Sequence, residues 1–207
     1  MTYANTAAQP APAKNAKDDA KEEKKPARSG LVDEKLFNSR AITIFGEIND
    51  KLARSVTERL LALAAENDEP ISIYISSPGG HVESGDVVYD MIKFIKPTVR
   101  VIGTGWVASA ATTIYLAAAK ENRFALPNTR FLVHQPSGGS RGSATDIAIQ
   151  AQEIVKMRAR INQLIADETG QPFDRVAQDT DRDYWMSVDE AITYGIVGRV
   201  VKSVSEI

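Results

Sequence analysis

ISIYISSPGGHVESGDVVYDMIKFIKPTVRVIGT, residues 71–104, is the stretch that decides the fold. Ile71, Ile73 and Ile75 alternate with Ser72 and Tyr74, the period-two pattern of a strand. Ser77-Pro78-Gly79-Gly80 ends that strand. From Ser84 to Ile95 the period lengthens, with Val87, Val88, Met91, Ile92 and Ile95 along one side of a helix. Pro97 stops the helix, and Thr98 to Thr104 reads as the next strand. A strand–helix–strand unit of this length joins parallel neighbours.

Working outward, the alternation continues in both directions. Ala41-Ile42-Thr43-Ile44-Phe45 is a strand closed by Gly46. Asp50 is the expected cap of a helix whose apolar face includes Leu52, Val56, Leu60 and Leu63. Downstream, Ser109 opens a small-residue helix, and an apolar strand runs into His134. Ser137-Gly138-Gly139-Ser140-Arg141-Gly142 is a flexible connection. A long helix is predicted from Ala144 to Glu168, with Ser143 and Asp146 at capping-box spacing and Gly170 as its stop. Ser187 and Glu190 repeat that spacing before a last helix that Gly195 terminates. Alternating units of this kind predict an α/β fold with a mostly parallel sheet and covering helices. The long, charge-rich helix is expected to project from the domain and pack on another subunit.

With 207 residues, the chain suits one domain plus a tail. Residues 1–29 are rich in Ala, Lys and Pro and lack the apolar content to bury a core, so a disordered tail is expected there and a folded domain over 30–207. Asp18, Asp19, Glu22 and Glu23 argue against a transit peptide, and no apolar leader precedes the domain, so a cytoplasmic location is expected. A net charge of −2 gives no nucleic-acid footprint, and with no cysteine there is neither a disulfide framework nor a thiolate metal site. Val101 to Ala119 is uncharged and long enough to raise the membrane question, but its glycines, threonines and serine punctuate it as strand, turn and helix of a buried core.

Ser109, His134 and Asp183 occur in three separate marked segments, in that chain order. A serine hydroxyl needs a base to take its proton, and the base needs a carboxylate to fix its tautomer. The order differs from those of the α/β-hydrolases, chymotrypsin and subtilisin. Each residue also has an ordinary reading. Ser109 suits a helix cap, His134 a backbone-bonded structural histidine, and Asp183 a solvated charge cluster with its neighbours Asp179, Asp181 and Arg182. His81 is the one rival base, because the chain has only two histidines; with Glu83 and Asp86 nearby it raises a metal site, which the expected outward direction of those acids disfavours. If Ser109 is a nucleophile, the N–H of Ala110 at the helix start and a second N–H from Gly79-Gly80 are the candidate oxyanion donors. Trp106, beside Ser109, reads as core packing rather than a substrate wall.

Taken together, Ser77-Pro78-Gly79-Gly80, the Gly105 to Ser109 element, Leu126-Pro127-Asn128, His134-Gln135-Pro136, Gly138-Gly139, Thr169-Gly170-Gln171, Asp181-Arg182-Asp183, Glu190-Ala191 and Tyr194-Gly195 closely resemble the ClpP family, the proteolytic subunits of ATP-dependent Clp proteases. The resemblance covers about residues 36–202 in one register. It implies the ClpP/crotonase-type fold with the helix after Ser143 as the projecting handle, and a serine endopeptidase that hydrolyses unfolded proteins to short peptides. It makes Ser109 the nucleophile, His134 the base and Asp183 the orienting acid, with Gly80 and Ala110 as the oxyanion hole and Asp181 and Arg182 at the ring contact. It further implies a homo-oligomer of two stacked seven-membered rings fed by a Clp-family AAA+ ATPase. ATP is used by that partner, and no cofactor or metal is bound by the chain itself.

This sequence departs from the family pattern in three places. Ala110 replaces the usual Met after the nucleophile, Ser72 stands where an aromatic is common, and a charged low-complexity tail precedes Leu36 in place of a pore-lining loop. The last two bear on ATPase docking, and they raise a second ClpP-type subunit as a further partner. The rival readings are a scaffold ring subunit without activity and an acyl-CoA enzyme on the same fold.

Overall fold

The computed structural model describes residues 27–207. The expected disordered tail therefore lies outside the described residues except at 27–29, which form the first turn of a helix, α1 (Ala27–Asn38), that sequence patterning did not predict. The strands β1 (Ala41–Phe45), β2 (Ile71–Ser77) and the first half of β3 (Val99–Ala108) run parallel side by side, separated in sequence by α2 (Asp50–Glu66) and α3 (Val82–Phe94). Ile71, Ile73 and Ile75 are fully buried while Ser72, Tyr74 and Ser76 are half-buried, as the alternation predicts. The cap of α2 is a correction: the Asn49 side chain, not Asp50, accepts the Leu52 N–H, and Asp50 is the first helical residue. Val87 is a second correction. It is 47% exposed, whereas Val88 and Ile92 are buried as predicted, with Ser84 and Gly85 beside them.

The third strand runs through the turn predicted at Gly105. Between Gly103 and Val107 it gains residues relative to β2, since Ile75 pairs with Gly103 and Ser77 with Val107. Gly105 sits at φ +63 inside this irregularity. A bulge of this kind bends a strand and gives it new neighbours. Val101–Gly103 pairs with β4 (Arg123–Ala125), whereas Trp106–Ala108 pairs with β5 (Arg130–Val133). β4 in turn pairs with β7 (Arg199–Val200), and β5 with the antiparallel edge strand β6 (Tyr184–Ser187). The bulge thus splits the sheet into two directions, and the one that carries β5 and β6 also carries the site.

The uncharged stretch from Val101 to Ala119 is the end of β3 and the helix α4 (Ala110–Leu116), all seven residues of which are buried. Among the described residues no helix is long and apolar enough to cross a membrane. The long helix α5 (Ala144–Thr169) begins at the predicted Ser143–Asp146 capping box and ends on Gly170 in the left-handed conformation. Its buried residues are confined to Ile161, Asn162, Ile165, Ala166 and Thr169, and contacts with the domain begin at Met157, so the first half stands off the domain, as expected. Two short helices follow, α6 (Phe173–Asp179) and α7 (Val188–Tyr194), the latter opened by the predicted Ser187–Glu190 box.

Beneath the strands, Arg123 is almost fully buried and ties three elements together. Its guanidinium donates to the Ala118 and Leu116 carbonyls at the end of α4, and to the backbone carbonyl and carboxylate of Glu168 on α5. Tyr89 and Lys93 of α3 reach the other Glu168 oxygen at 2.8 and 2.7 Å. Burial pushes the Glu168 carboxyl up, but these hydrogen bonds and the charges of Lys93 and Arg123 outweigh it and hold the group below the usual carboxylate range.

Candidate active site

Ser109 stands between β3 and α4 with φ 57 and ψ −125, a conformation that a non-glycine residue adopts only when its surroundings impose it. They do so from both sides. The Ser109 N–H donates to the Leu132 carbonyl of β5, and the Ser109 carbonyl accepts from the Thr112 N–H of α4. Thr112 also donates its hydroxyl to the Val107 and Leu132 carbonyls, stitching β3 to β5 directly below the turn. Ser109 occupies the cap position of α4, yet its side chain makes no capping bond. Its Oγ lies 2.7 Å from His134 Nε2.

His134 follows the last residue of β5, and its Nδ1 lies 3.0 Å from Asp183 Oδ1. Asp183 immediately precedes β6 and is largely exposed. Ser109, His134 and Asp183 therefore stand at the same end of three adjacent strands, β3, β5 and β6, in a continuous chain of hydrogen bonds. The ordinary readings of the three, as cap, structural histidine and solvated acid, do not describe these contacts. With the Nδ1 proton directed at the carboxylate, Nε2 is left as the acceptor of the Ser109 hydroxyl proton.

The 180–183 loop is anchored by residues that sequence reading missed. Thr180 is fully buried and donates to Asn162 of α5, and its carbonyl accepts the Gln135 N–H at 2.6 Å. Asp181, expected at a contact between subunits, pairs here with Arg158 of α5 at 3.1 Å, and its carbonyl accepts from the Gln135 side chain. Arg182 makes no hydrogen bond or ion pair among the described residues. Arg158 and Asn162 stand one turn apart on α5, and Thr180 lies beyond the next helix, so no local pattern announces that they meet.

The Gly79-Gly80 turn lies against Ser109. A Cβ on Gly79 would sit 2.6 Å from Ser109 Cβ and 2.7 Å from the Ala108 carbonyl oxygen. One on Gly80 would sit 2.2 Å from the Ile48 carbonyl oxygen, so both positions require glycine for space as well as for their positive φ. The Gly79 N–H is taken by Ser77 Oγ at 3.1 Å. The Gly80 N–H makes no hydrogen bond among the described residues. Ala110 is the first residue of α4, so its N–H has no partner within the helix.

A small pocket opens beside Ser109 and His134. Val82, Val133, Pro136, Ile161 and Ile165 make its apolar wall. Residues 137–142, between His134 and α5, carry no helix or strand.

His81 is engaged elsewhere. Its Nδ1 meets Ser84 Oγ at 2.8 Å and Asp50 at 3.2 Å, and its Nε2 meets Glu83 at 3.0 Å. Asp86 is paired with Arg160 of α5. Trp106 is a correction: it is 45% exposed, not core. The bulge turns its indole outward, where it lies parallel to Trp185, with ring centres 6.5 Å apart.

The Clp protease family model matches residues 23–204. The chain is 61% identical over 172 residues to "ATP-dependent Clp protease proteolytic subunit 3" of Rhizobium etli, covering 83% of this chain and 89% of that one. It is 56% identical over 191 residues to the protein of the same name in Rhizobium meliloti, covering 92% and 98%. Among solved structures, ClpP1 from Listeria monocytogenes superposes with a TM-score of 0.77 at 52% identity, covering 84% of this chain and 98% of that one. The family model, these relatives and the fold agree, and the chain belongs to the Clp protease family.

Proposed function

We propose that the chain acts as a serine endopeptidase through Ser109, His134 and Asp183. The unbroken hydrogen-bond chain from Ser109 Oγ through His134 to Asp183 carries this reading. His134 Nε2 takes the Ser109 proton as Oγ attacks the peptide carbonyl. Asp183 holds the imidazole in the required tautomer and stabilises its cation. The oxyanion forms against the Gly80 and Ala110 N–H groups, and His134 then hands its proton to the leaving amine. Water enters, loses a proton to His134 and hydrolyses the acyl-enzyme. Lacking a metal role, this route needs no cofactor from the chain. The apolar wall of Val82, Val133, Ile161 and Ile165 supports a preference for an apolar side chain next to the scissile bond.

The assembly we infer is a pair of stacked seven-membered rings enclosing the sites, located in the cytoplasm. The exposed first half of α5, with Ile147, Ile149 and Val155 on its surface, supports a role in joining rings. Asp181 and Arg182 fall at the same end of the molecule as Asp183 and are the candidates for the ring contact. A Clp-family AAA+ ATPase feeds unfolded protein to the chamber and uses ATP; a second ClpP-type subunit is the further partner, because Ser72 weakens the aromatic lining of the docking face.

The test is hydrolysis of a fluorogenic peptide with an apolar residue before the scissile bond, paired with the native mass of the particle. Hydrolysis by a particle of ring mass is expected. An acyl-CoA activity without peptide cleavage, or an assembled but inert ring, overturns the reading in favour of one of its rivals.

A further inference from the structure

Trp106, Arg130 and Trp185 lie on three neighbouring strands, and Trp185 faces both of the others. Trp106 of β3 is the register partner of Arg130 of β5. The Arg130 guanidinium lies 4.4 Å from the centre of the Trp185 ring of β6. The two indoles are parallel to within 5°. A guanidinium on an indole face is an attraction that survives partial exposure, and it fixes a side chain that water would otherwise leave mobile.

The placement gives the cluster its meaning. Trp106 is in the strand that leads into Ser109, Arg130 in the strand that leads into His134, and Trp185 in the strand that follows Asp183. β6 is an edge strand with one partner, β5, and only four residues. Its inner face is held by buried Met186 and by Tyr184 against Tyr194. On its outer face, the contacts of Trp185 with Arg130 and Trp106 tie it to β5 and β3. Asp183 is itself largely exposed, so its position depends on how firmly β6 is held.

We propose that Trp106, Arg130 and Trp185 form a positioning clamp across the outer face of the three strands, setting Asp183, and through it His134, against Ser109. The proposal rests on the triad reading above. Loosening the clamp shifts the orienting acid without touching substrate, and displacements of this kind cost rate rather than affinity.

The test compares the full-length chain with Trp185→Ala, Trp185→Phe and Arg130→Met. Trp185→Ala and Arg130→Met are expected to lower kcat about tenfold, with KM changed less than about twofold. Phosphonate labelling of Ser109 should slow by the same factor, and Trp185→Phe, which keeps an aromatic face, should recover most of the loss. Unchanged kcat in both Trp185→Ala and Arg130→Met overturns the clamp. A rise in KM alone overturns it by making the rings a substrate wall, and a fall in native particle mass overturns it by making them a subunit contact. Failure of the unaltered chain to cleave peptide or take up phosphonate would instead overturn the triad reading.

Discussion

Gly79 and Ser109 approach so closely that a methyl group on Gly79 would lie 2.6 Å from Ser109 Cβ. The nucleophile candidate and the turn beside it were thus made to fit by removing a side chain. Gly79→Ala forces either the turn or the serine to move, at a φ of +91 that alanine resists. The expected result is a loss of stability of about 1–3 kcal/mol and a fall in kcat of about a hundredfold, read by melting and peptide hydrolysis on the same sample.

His134→Ala and His81→Ala separate the two histidines. His134 reaches both Ser109 and Asp183, whereas His81 closes a surface cluster with Asp50, Ser84 and Glu83. Losing His134 should lower kcat by four or more orders of magnitude, as loss of a triad base does elsewhere. Losing His81 should leave kcat within about twofold and cost at most about 1 kcal/mol of stability, the worth of exposed pairs. The reverse pattern would move the base to His81.

The strand–helix–strand unit, both capping boxes and the full extent of α5 are legible because each depends on residues close in sequence. The triad residues are legible because serine, histidine and acid each stand beside a turn marker or in a marked loop. What escapes does so for physical reasons. Trp106 reads as core because a large apolar residue beside Ser109 in an uncharged stretch is expected inside, and the bulge that carries the strand on past Gly105 turns it out. The strands β4, β6 and β7 have two to four residues, too few for a period to declare itself. Asn49 and Asp50 are both good caps, and the choice between them is set by the chain entering α2 from Ile48, which bonds to the Gly79 turn. Arg158, Asn162 and Thr180 hold the acid's loop through contacts across two elements, which no window along the chain contains.

Glu168→Gln tests the buried network. The carboxyl is held below the usual range in the folded chain, so its contribution is fully present above the unfolded value and is lost as pH falls through the folded one. The stability of the unaltered chain should therefore decline from about pH 5 downward, and the variant should decline less steeply over that interval. At neutral pH the variant leaves Arg123 buried without its counter-charge, at an expected cost of about 3 kcal/mol. Thermal melts from pH 3 to pH 8 on both proteins give slope and offset together. A variant with the same slope as the unaltered chain would show that Glu168 is not the titrating group.

The central claim is that Ser109 carries the chemistry, and the most direct measurement is the mass-mapped site of attachment of a fluorophosphonate on the assembled protein. The expected result is one adduct per chain, on the peptide that contains Ser109, with Ser109→Ala taking up no label and cleaving no peptide while keeping its native mass. An adduct on another residue, or peptide cleavage surviving in a clean Ser109→Ala preparation, would contradict the account.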